Sequence, residues 1–201
     1  GEDYNTLLNE KWAKLAQNRI DDGTIVGWDV WRVGHTTPES PYNLIIVTLV
    51  NDIDSLGKNV GIRKIDPEIS DMDLEILQQK NWGARKIMAE AVVARKNGYS
   101  FVDSLPQIAV FNYMKVPLGY GAKYEKMEND LNRSPDKNAP RVAWSYSKRL
   151  DLNGENVGWN YLTADFFKSY KAAMQARANT PAYSKDLLQA FKSRKLVKSD
   201  M

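Results

Sequence analysis

Cysteine is absent from the 201-residue sequence, and histidine occurs once, as His35. A chain without cysteine has no disulfides, no thiolate nucleophile and no cysteine-ligated zinc or iron–sulfur site. One histidine also excludes a multi-histidine metal site within a single chain. We therefore predict no metal and no cofactor. The lack of cysteine suits cytosol and periplasm equally, so it does not indicate a compartment.

Long apolar runs and a strong charge bias are missing too. No segment approaches the roughly 20 apolar residues of a membrane-spanning helix. The net charge is only +3, from 28 basic and 25 acidic residues, which is too small to indicate nucleic-acid binding. With 43% hydrophobic residues, the composition is that of a globular protein. We expect a monomer or homodimer with neither a membrane nor nucleic acid as partner.

The sequence alternates between helical and extended patterns. Tyr4, Leu8, Trp12 and Leu15 recur at helical spacing and predict an amphipathic helix over 3–20. Residues 42–50 are apolar enough to form a strand buried on both faces. Segment 84–94 fits a helix or a strand, and we predict a strand. The other predicted strands are 25–33, 107–116, 141–150 and 157–165, and a turn at 152–154 joins the last two. The other predicted helices are 71–82, 121–131 and 166–178. A last segment follows at 183–199.

Four weak matches, all in the same order, indicate an internal repeat. The helix around Tyr4 matches the one around Tyr124, with Asn9 on Asn129. The remaining matches place residues 28–33 on 144–149, residues 42–44 on 159–161, and residues 85–88 on 194–197. Each copy then has the order strand, helix, strand, strand, helix, strand, which is that of a ferredoxin-like unit.

The predicted fold class is α+β. We expect two tandem ferredoxin-like units, 1–105 and 106–201, whose antiparallel sheets pack into one barrel-like core because each sheet exposes an apolar face. The second copy opens with the strand 107–116, whereas the first begins at Gly1 without an equivalent. We therefore expect the natural protein to carry on the order of ten more residues before Gly1, about one strand with its turn, and a further segment after Met201.

The chain resembles the dimeric α/β-barrel superfamily in its fused form, and within it a group of bacterial proteins that are often exported. The phrases that carry the resemblance are residues 113–119 (YMKVPLG), residues 124–128 (YEKME) and residues 23–28 (GTIVGW). The resemblance implies an exported or periplasmic location. The superfamily contains cofactor-free monooxygenases, haem-degrading enzymes and pure binding proteins, so the fold does not choose an activity.

Two strand faces carry the candidate ligand-binding residues. Side chains alternate along a strand, so Trp28 and Arg32 share one face, and Trp144 and Tyr146 share another. Indoles, a phenol and a cation would suit a small aromatic or anionic ligand. The competing interpretation is that the tryptophans fill the core.

Asn112 completes the candidate site, because asparagine is depleted in strand interiors and a buried amide needs partners. The resemblance implies that such an amide orients a carbonyl or dioxygen in monooxygenases, whereas a structural hydrogen bond is the plainer interpretation. Asn43 and Asn160 also fall on predicted strands, and His35 falls in a loop. Three function classes remain open: a small-molecule binding protein, a cofactor-free or haem-linked monooxygenase, and an interaction module without a pocket.

Overall fold

The computed structural model describes residues 4–57, 61–152, 154, 156–179 and 182–201. Their contacts divide the chain into two compact units, Gly1–Ala89 and Glu90–Met201. The part of the predicted repeat over residues 1–3 and the residue Asn153 of the predicted hairpin turn lie outside the described residues.

The first unit begins with a helical segment that contains a π-helical turn. Its elements are α1 (Tyr4–Leu7), the π turn (Leu8–Trp12), α2 (Ala13–Asp21), β1 (Gly27–Arg32), β2 (Leu44–Leu49), 3₁₀ turns at Ile53–Gly57 and Ile62–Lys64, and α3 (Asp71–Ala84). Ser70 caps α3 by accepting a hydrogen bond from the Asp73 backbone N–H at 3.1 Å. Leu7, Ile62 and Leu77 are buried together and form the core of this unit.

The strands β1 and β2 form an antiparallel two-stranded sheet in which Trp28 lies opposite Thr48 and Arg32 opposite Leu44. The prediction of a strand buried on both faces at 42–50 is wrong, since Ile46 and Leu49 are 40% and 47% exposed. Apolar composition alone does not distinguish a covered strand from one with open positions.

The second unit is built around a five-stranded antiparallel sheet. Its elements are β3 (Val93–Ser100), β4 (Ile108–Lys115), α4 (Gly121–Leu131), β5 (Arg141–Arg149), β6 (Tyr161–Phe167), α5 (Tyr170–Ala178), α6 (Lys185–Phe191) and β7 (Lys195–Asp200). Gly119 has a φ of 84° and makes the turn into α4, a conformation that suits glycine.

The sheet order is β3-β5-β6-β4-β7. Its last four members, β5-β6-β4-β7, have the strand order of a ferredoxin-like unit that begins at β4. The α+β fold class with antiparallel sheets is thereby confirmed. One face of the sheet packs under the helices in two apolar clusters, one around Tyr124 and Trp144 and one around Val110, Phe167 and Ala173.

The segment 84–94 departs from the prediction of a strand. Helix α3 ends at Ala84, residues 85–92 form neither helix nor strand, and β3 begins only at Val93. The match of residues 85–88 to residues 194–197 is therefore wrong, because Lys195 lies in β7. The strand β3, which the predicted repeat gives to the first copy, pairs with β5 of the second unit. The boundary between residues 105 and 106 concerns the two copies of the repeat, and it remains a prediction.

Candidate functional site

A cleft of about 520 Å³ lies within the first unit, between its N-terminal helical segment and its hairpin. This volume falls in the range typical of small-molecule sites, roughly 300–1,000 Å³. Its lining residues are Asn5, Leu8, Asn9, Trp28, Val30, Arg32 and Leu44. Strand alternation explains the hairpin side, because Trp28, Val30 and Arg32 point to the same face of β1.

The helical side of the cleft is made by α1 and the π turn. Leu8 is buried at 6% exposure, while Asn9 is exposed. A π turn inserts an extra residue into a helix and is found frequently at functional sites. Here it carries both Leu8 and Asn9 at the cleft, so an apolar side chain and an amide lie side by side.

Arg32 gives the cleft its charge. It lies at the exposed end of β1, and its Nη2 donates a hydrogen bond to Asn5 Oδ1 at 3.0 Å. Among the residues that the structure describes, no carboxylate forms an ion pair with this guanidinium. Arg32 is thus oriented at the cleft by an amide from α1.

Trp28 supplies an aromatic surface four residues before Arg32 on the same face of β1, and it is half-buried. Leu8, Val30 and Leu44 are apolar neighbours in the lining. The cleft therefore combines an apolar and aromatic interior with a cation and two amides. Such a lining favours a flat ligand that carries negative charge.

Trp144 and Tyr146, the predicted binding residues of β5, belong to the core of the second unit. They are 3% and 2% exposed, and their ring centroids lie 5.5 Å apart. Their cluster includes Tyr124 and Met127 of α4 and Tyr161 of β6. A ligand would have to displace core side chains to reach them, so their placement matches the competing interpretation that the aromatic residues fill the core.

Asn112 on β4 is half-buried, and protein groups bind its amide. Its Nδ2 donates to Asp165 Oδ2 at 2.9 Å and to Thr163 Oγ1 at 3.2 Å, while its Oδ1 accepts from Ser199 Oγ at 2.7 Å. The arrangement supports the structural interpretation of this amide, since a substrate carbonyl or dioxygen would compete with these bonds.

Asn112 belongs to a row of polar side chains that crosses the five-stranded sheet. Asp165 also accepts a hydrogen bond from Arg141 Nη1 at 2.7 Å, and Arg141 lies beside Tyr99 with its Cζ 5.7 Å from the ring centroid. The row takes one residue from each strand, in the order Tyr99, Arg141, Asp165, Asn112 and Ser199. It ties the strands together between the two apolar clusters.

Asn43 and Asn160 lie just before β2 and β6 rather than within them. The side chain of Asn160 makes two hydrogen bonds to the backbone of Val116, as a residue of a paired strand would. Its Oδ1 accepts from the Val116 N–H and its Nδ2 donates to the Val116 carbonyl, both at 2.8 Å. Its role is therefore structural.

Helix α4 carries two buried ionisable groups, Tyr124 and Glu128. Glu128 is 4% exposed, and its Oε1 is 3.5 Å from Arg194 Nη1. Burial raises the pKa of Glu128, and the Arg194 charge offsets only part of that rise. Burial and the nearby Glu128 also raise the pKa of Tyr124, which keeps the phenol protonated.

His35 lies in the exposed loop between β1 and β2, with a φ of 55°, and it is not a lining residue of the cleft. In the described part of the chain, no three acidic or histidine side chains are grouped so as to hold a metal ion. Within the same residues, no helix is long and apolar enough to cross a membrane.

Of the predicted ligand-binding residues, Trp28 and Arg32 line the cleft, whereas its lining residues Asn5, Leu8 and Asn9 were not among the predicted ones. The missed residues are spaced three and four positions apart, so they lie on one face of the predicted amphipathic helix. The internal repeat could have indicated Asn9, because it aligns Asn9 with Asn129.

The fold and the cleft define an α+β protein with a ferredoxin-like sheet and a small-molecule-sized cavity. No protein-family model matches this chain, and no curated protein sequence matches it. The crystal structure of a protein from Fusobacterium nucleatum subsp. nucleatum, described as a "putative monooxygenase", is similar with a TM-score of 0.57 and 10% identity, over 96% of this chain and 84% of that chain. A structure of an "anthrone oxidase-like protein" has a TM-score of 0.48 and 15% identity, over 95% and 84% of the two chains. The first similarity shows a shared fold.

Proposed function

We propose that the protein binds a small, flat, anionic molecule in the cleft of its first unit. The observation that carries the proposal is Arg32, a guanidinium without an ion-pair partner among the described residues. Asn5 holds it in the cleft that the indole of Trp28 also lines. A carboxylate that reached Arg32 would gain charge-assisted hydrogen bonds, which are roughly twice as strong as neutral ones. A planar ring would contact Trp28 and the leucines.

The same lining favours binding over catalysis. Among the lining residues that the structure describes, Arg32 is the only one with an ionisable side chain, and a guanidinium does not act as a general base. A proton-abstracting step would need a group such as histidine or a carboxylate within hydrogen-bonding reach of the substrate.

Calorimetric titration with 2-naphthoate tests the proposal. We expect measurable binding to the parent protein and at least a tenfold loss in Arg32→Met, which corresponds to about 1.4 kcal/mol. Lys14→Met is the matched control, because Lys14 is an exposed cation on α2 that does not line the cleft. Equal affinities for the parent and Arg32→Met would refute the role of the guanidinium.

A monooxygenase is the second candidate, and it is supported by the fold shared with the Fusobacterium protein and its description. Oxygen uptake in the presence of an anthrone distinguishes the two functions, since a binding protein consumes none. Titration with haem, followed by its absorption spectrum, tests the haem-linked form of this activity.

A further inference from the structure

The two hairpins of the chain have the same register, which allows the cleft to be compared with its counterpart position by position. Trp28 pairs with Thr48 as Trp144 pairs with Asp165, and Arg32 pairs with Leu44 as Lys148 pairs with Tyr161. The backbone bond that follows is repeated too: Val33 N–H donates to the Asn43 carbonyl and Arg149 N–H donates to the Asn160 carbonyl, both at 2.9 Å. These pairings support the alignment that the sequence predicts for the hairpins.

In the second unit, the positions that correspond to the cleft are filled by phenol rings. Val30 corresponds to Tyr146, and Leu44 corresponds to Tyr161. Both tyrosines are 2% exposed and pack against Tyr124 of α4, with ring centroids 6.5 Å and 4.7 Å from it. In the first unit, smaller side chains stand at these two positions, and a cavity is present there.

The phenol groups of the second unit lie against side chains of α4. Tyr161 donates a hydrogen bond to Glu125 Oε1 at 2.7 Å. Burial raises the pKa of the Tyr146 phenol, and the nearby Asn129 amide offsets part of that rise. The corresponding helix residues of the first unit are Asn5 and Asn9, both in the lining of the cleft. The second unit has the Glu125 carboxylate at the position of Asn5. In the first unit, Asn5 instead accepts a hydrogen bond from Arg32.

We propose, building on the proposed function, that the ligand takes the place of the two missing phenol rings. It is then a hydroxylated aromatic acid, with its carboxylate on Arg32 and Asn5 and its hydroxyl on Asn9. Val30 and Leu44 determine the size of the ligand, because larger side chains there would refill the cavity. Both units carry a cation at the Arg32 position, which corresponds to Lys148, but the first unit has the Asn5 amide where the second has the Glu125 carboxylate. The loss of that negative charge accounts for the preference for an anion.

Three probes separate the parts of this inference: 6-hydroxy-2-naphthoate, 2-naphthoate, and the saturated decahydro-2-naphthoate. Titration calorimetry of the parent protein should rank them in that order. The hydroxyl should improve affinity about three- to tenfold, the usual contribution of one neutral hydrogen bond. In Asn9→Ala, 6-hydroxy-2-naphthoate and 2-naphthoate should bind equally.

The double variant Val30→Tyr/Leu44→Tyr refills the cleft and should weaken 2-naphthoate binding more than tenfold, with an unchanged circular dichroism spectrum. Val26→Tyr is its control, because Val26 is 48% exposed and outside the lining. If 2-naphthoate binds the double variant as tightly as the parent, or the saturated acid binds as well as the aromatic one, this inference is overturned while the Arg32-dependent site stands. If none of the probes binds the parent, the proposed function fails as well.

Discussion

Replacing Asp165 with alanine should destabilise the protein through the polar row that crosses the five-stranded sheet. The carboxylate accepts from Arg141 at 2.7 Å and from Asn112 at 2.9 Å, so the substitution removes two hydrogen bonds at once. Breaking a fully buried ion pair costs about 3–5 kcal/mol, because one charge is left without its partner. The side chains of Arg141 and Asp165 are 31% and 21% exposed, and water therefore recovers part of that cost.

We expect a loss of about 2–3 kcal/mol in the free energy of unfolding of Asp165→Ala. For a chain of this length, each kcal/mol lowers the unfolding midpoint by about 2–4 °C, so the midpoint should fall by roughly 4–12 °C. The assay is thermal and urea unfolding followed by far-ultraviolet circular dichroism.

Asp130→Ala is the matched control for this substitution. Asp130 also has two cationic partners, Lys126 and Arg133 at 2.5 Å and 3.1 Å, but its side chain is 43% exposed. Its removal should leave the midpoint within error of the parent, because exposed pairs contribute little. If Asp165→Ala and Asp130→Ala shift the midpoint equally, burial does not strengthen the polar row and the reasoning is refuted.

Two further predictions concern the second unit. Burial raises the folded-state pKa of Glu128 above its value in the unfolded chain. The stability that this group contributes is therefore complete below the unfolded pKa and is lost as the pH rises through the folded pKa. Glu128→Gln should flatten the fall in the urea midpoint above pH 4.5, the ordinary pKa of glutamate, and parallel curves of midpoint against pH for the two proteins would contradict this. At Gly98, a Cβ would lie 2.5 Å from the Trp144 carbonyl oxygen and 2.9 Å from Ser145 Cβ, so Gly98→Ala should cost about 1–3 kcal/mol. Gly83→Ala, whose Cβ would meet nothing within 4 Å, should instead be neutral or stabilise α3 by up to about 1 kcal/mol, and a similar loss in both variants would argue against a clash at Gly98.

Local patterns in the sequence predicted most of the elements correctly. Helix α4 falls on the predicted residues 121–131, and β4 lies within the predicted strand 107–116. Both have consistent local signals, since α4 follows a glycine turn and the strand is stopped by Pro117.

The errors arise where tertiary contacts override those signals. Residues 157–160 resemble the start of a strand, but Asn160 uses its side chain to bind the Val116 backbone, and the strand begins only at Tyr161. Segment 84–94 is rich in alanine and β-branched residues, yet its regular structure begins at Val93, where β5 offers pairing partners.

The candidate site was predictable only in part, because equivalent tryptophans have different surroundings. Trp28 and Trp144 occupy matching strand positions, and their residue type and spacing are the same. The difference lies in their neighbours: Tyr146 and Tyr161 fill the space beside Trp144, while Val30 and Leu44 stand beside Trp28. The volume that remains between side chains depends on how the helix and hairpin pack, which periodicity does not report.

The pairing of β3 with β5 determines where the chain could be cut to obtain an autonomous fragment. A fragment that starts at residue 106, the boundary suggested by the repeat, would lose β3 and leave the backbone N–H and C=O groups of β5 without partners at a sheet edge. Such an edge invites pairing with other chains, so this fragment should precipitate or associate. A fragment that starts at Glu90 would keep all five strands. For expression as a separate fragment, the boundary of the second unit should therefore be placed before β3.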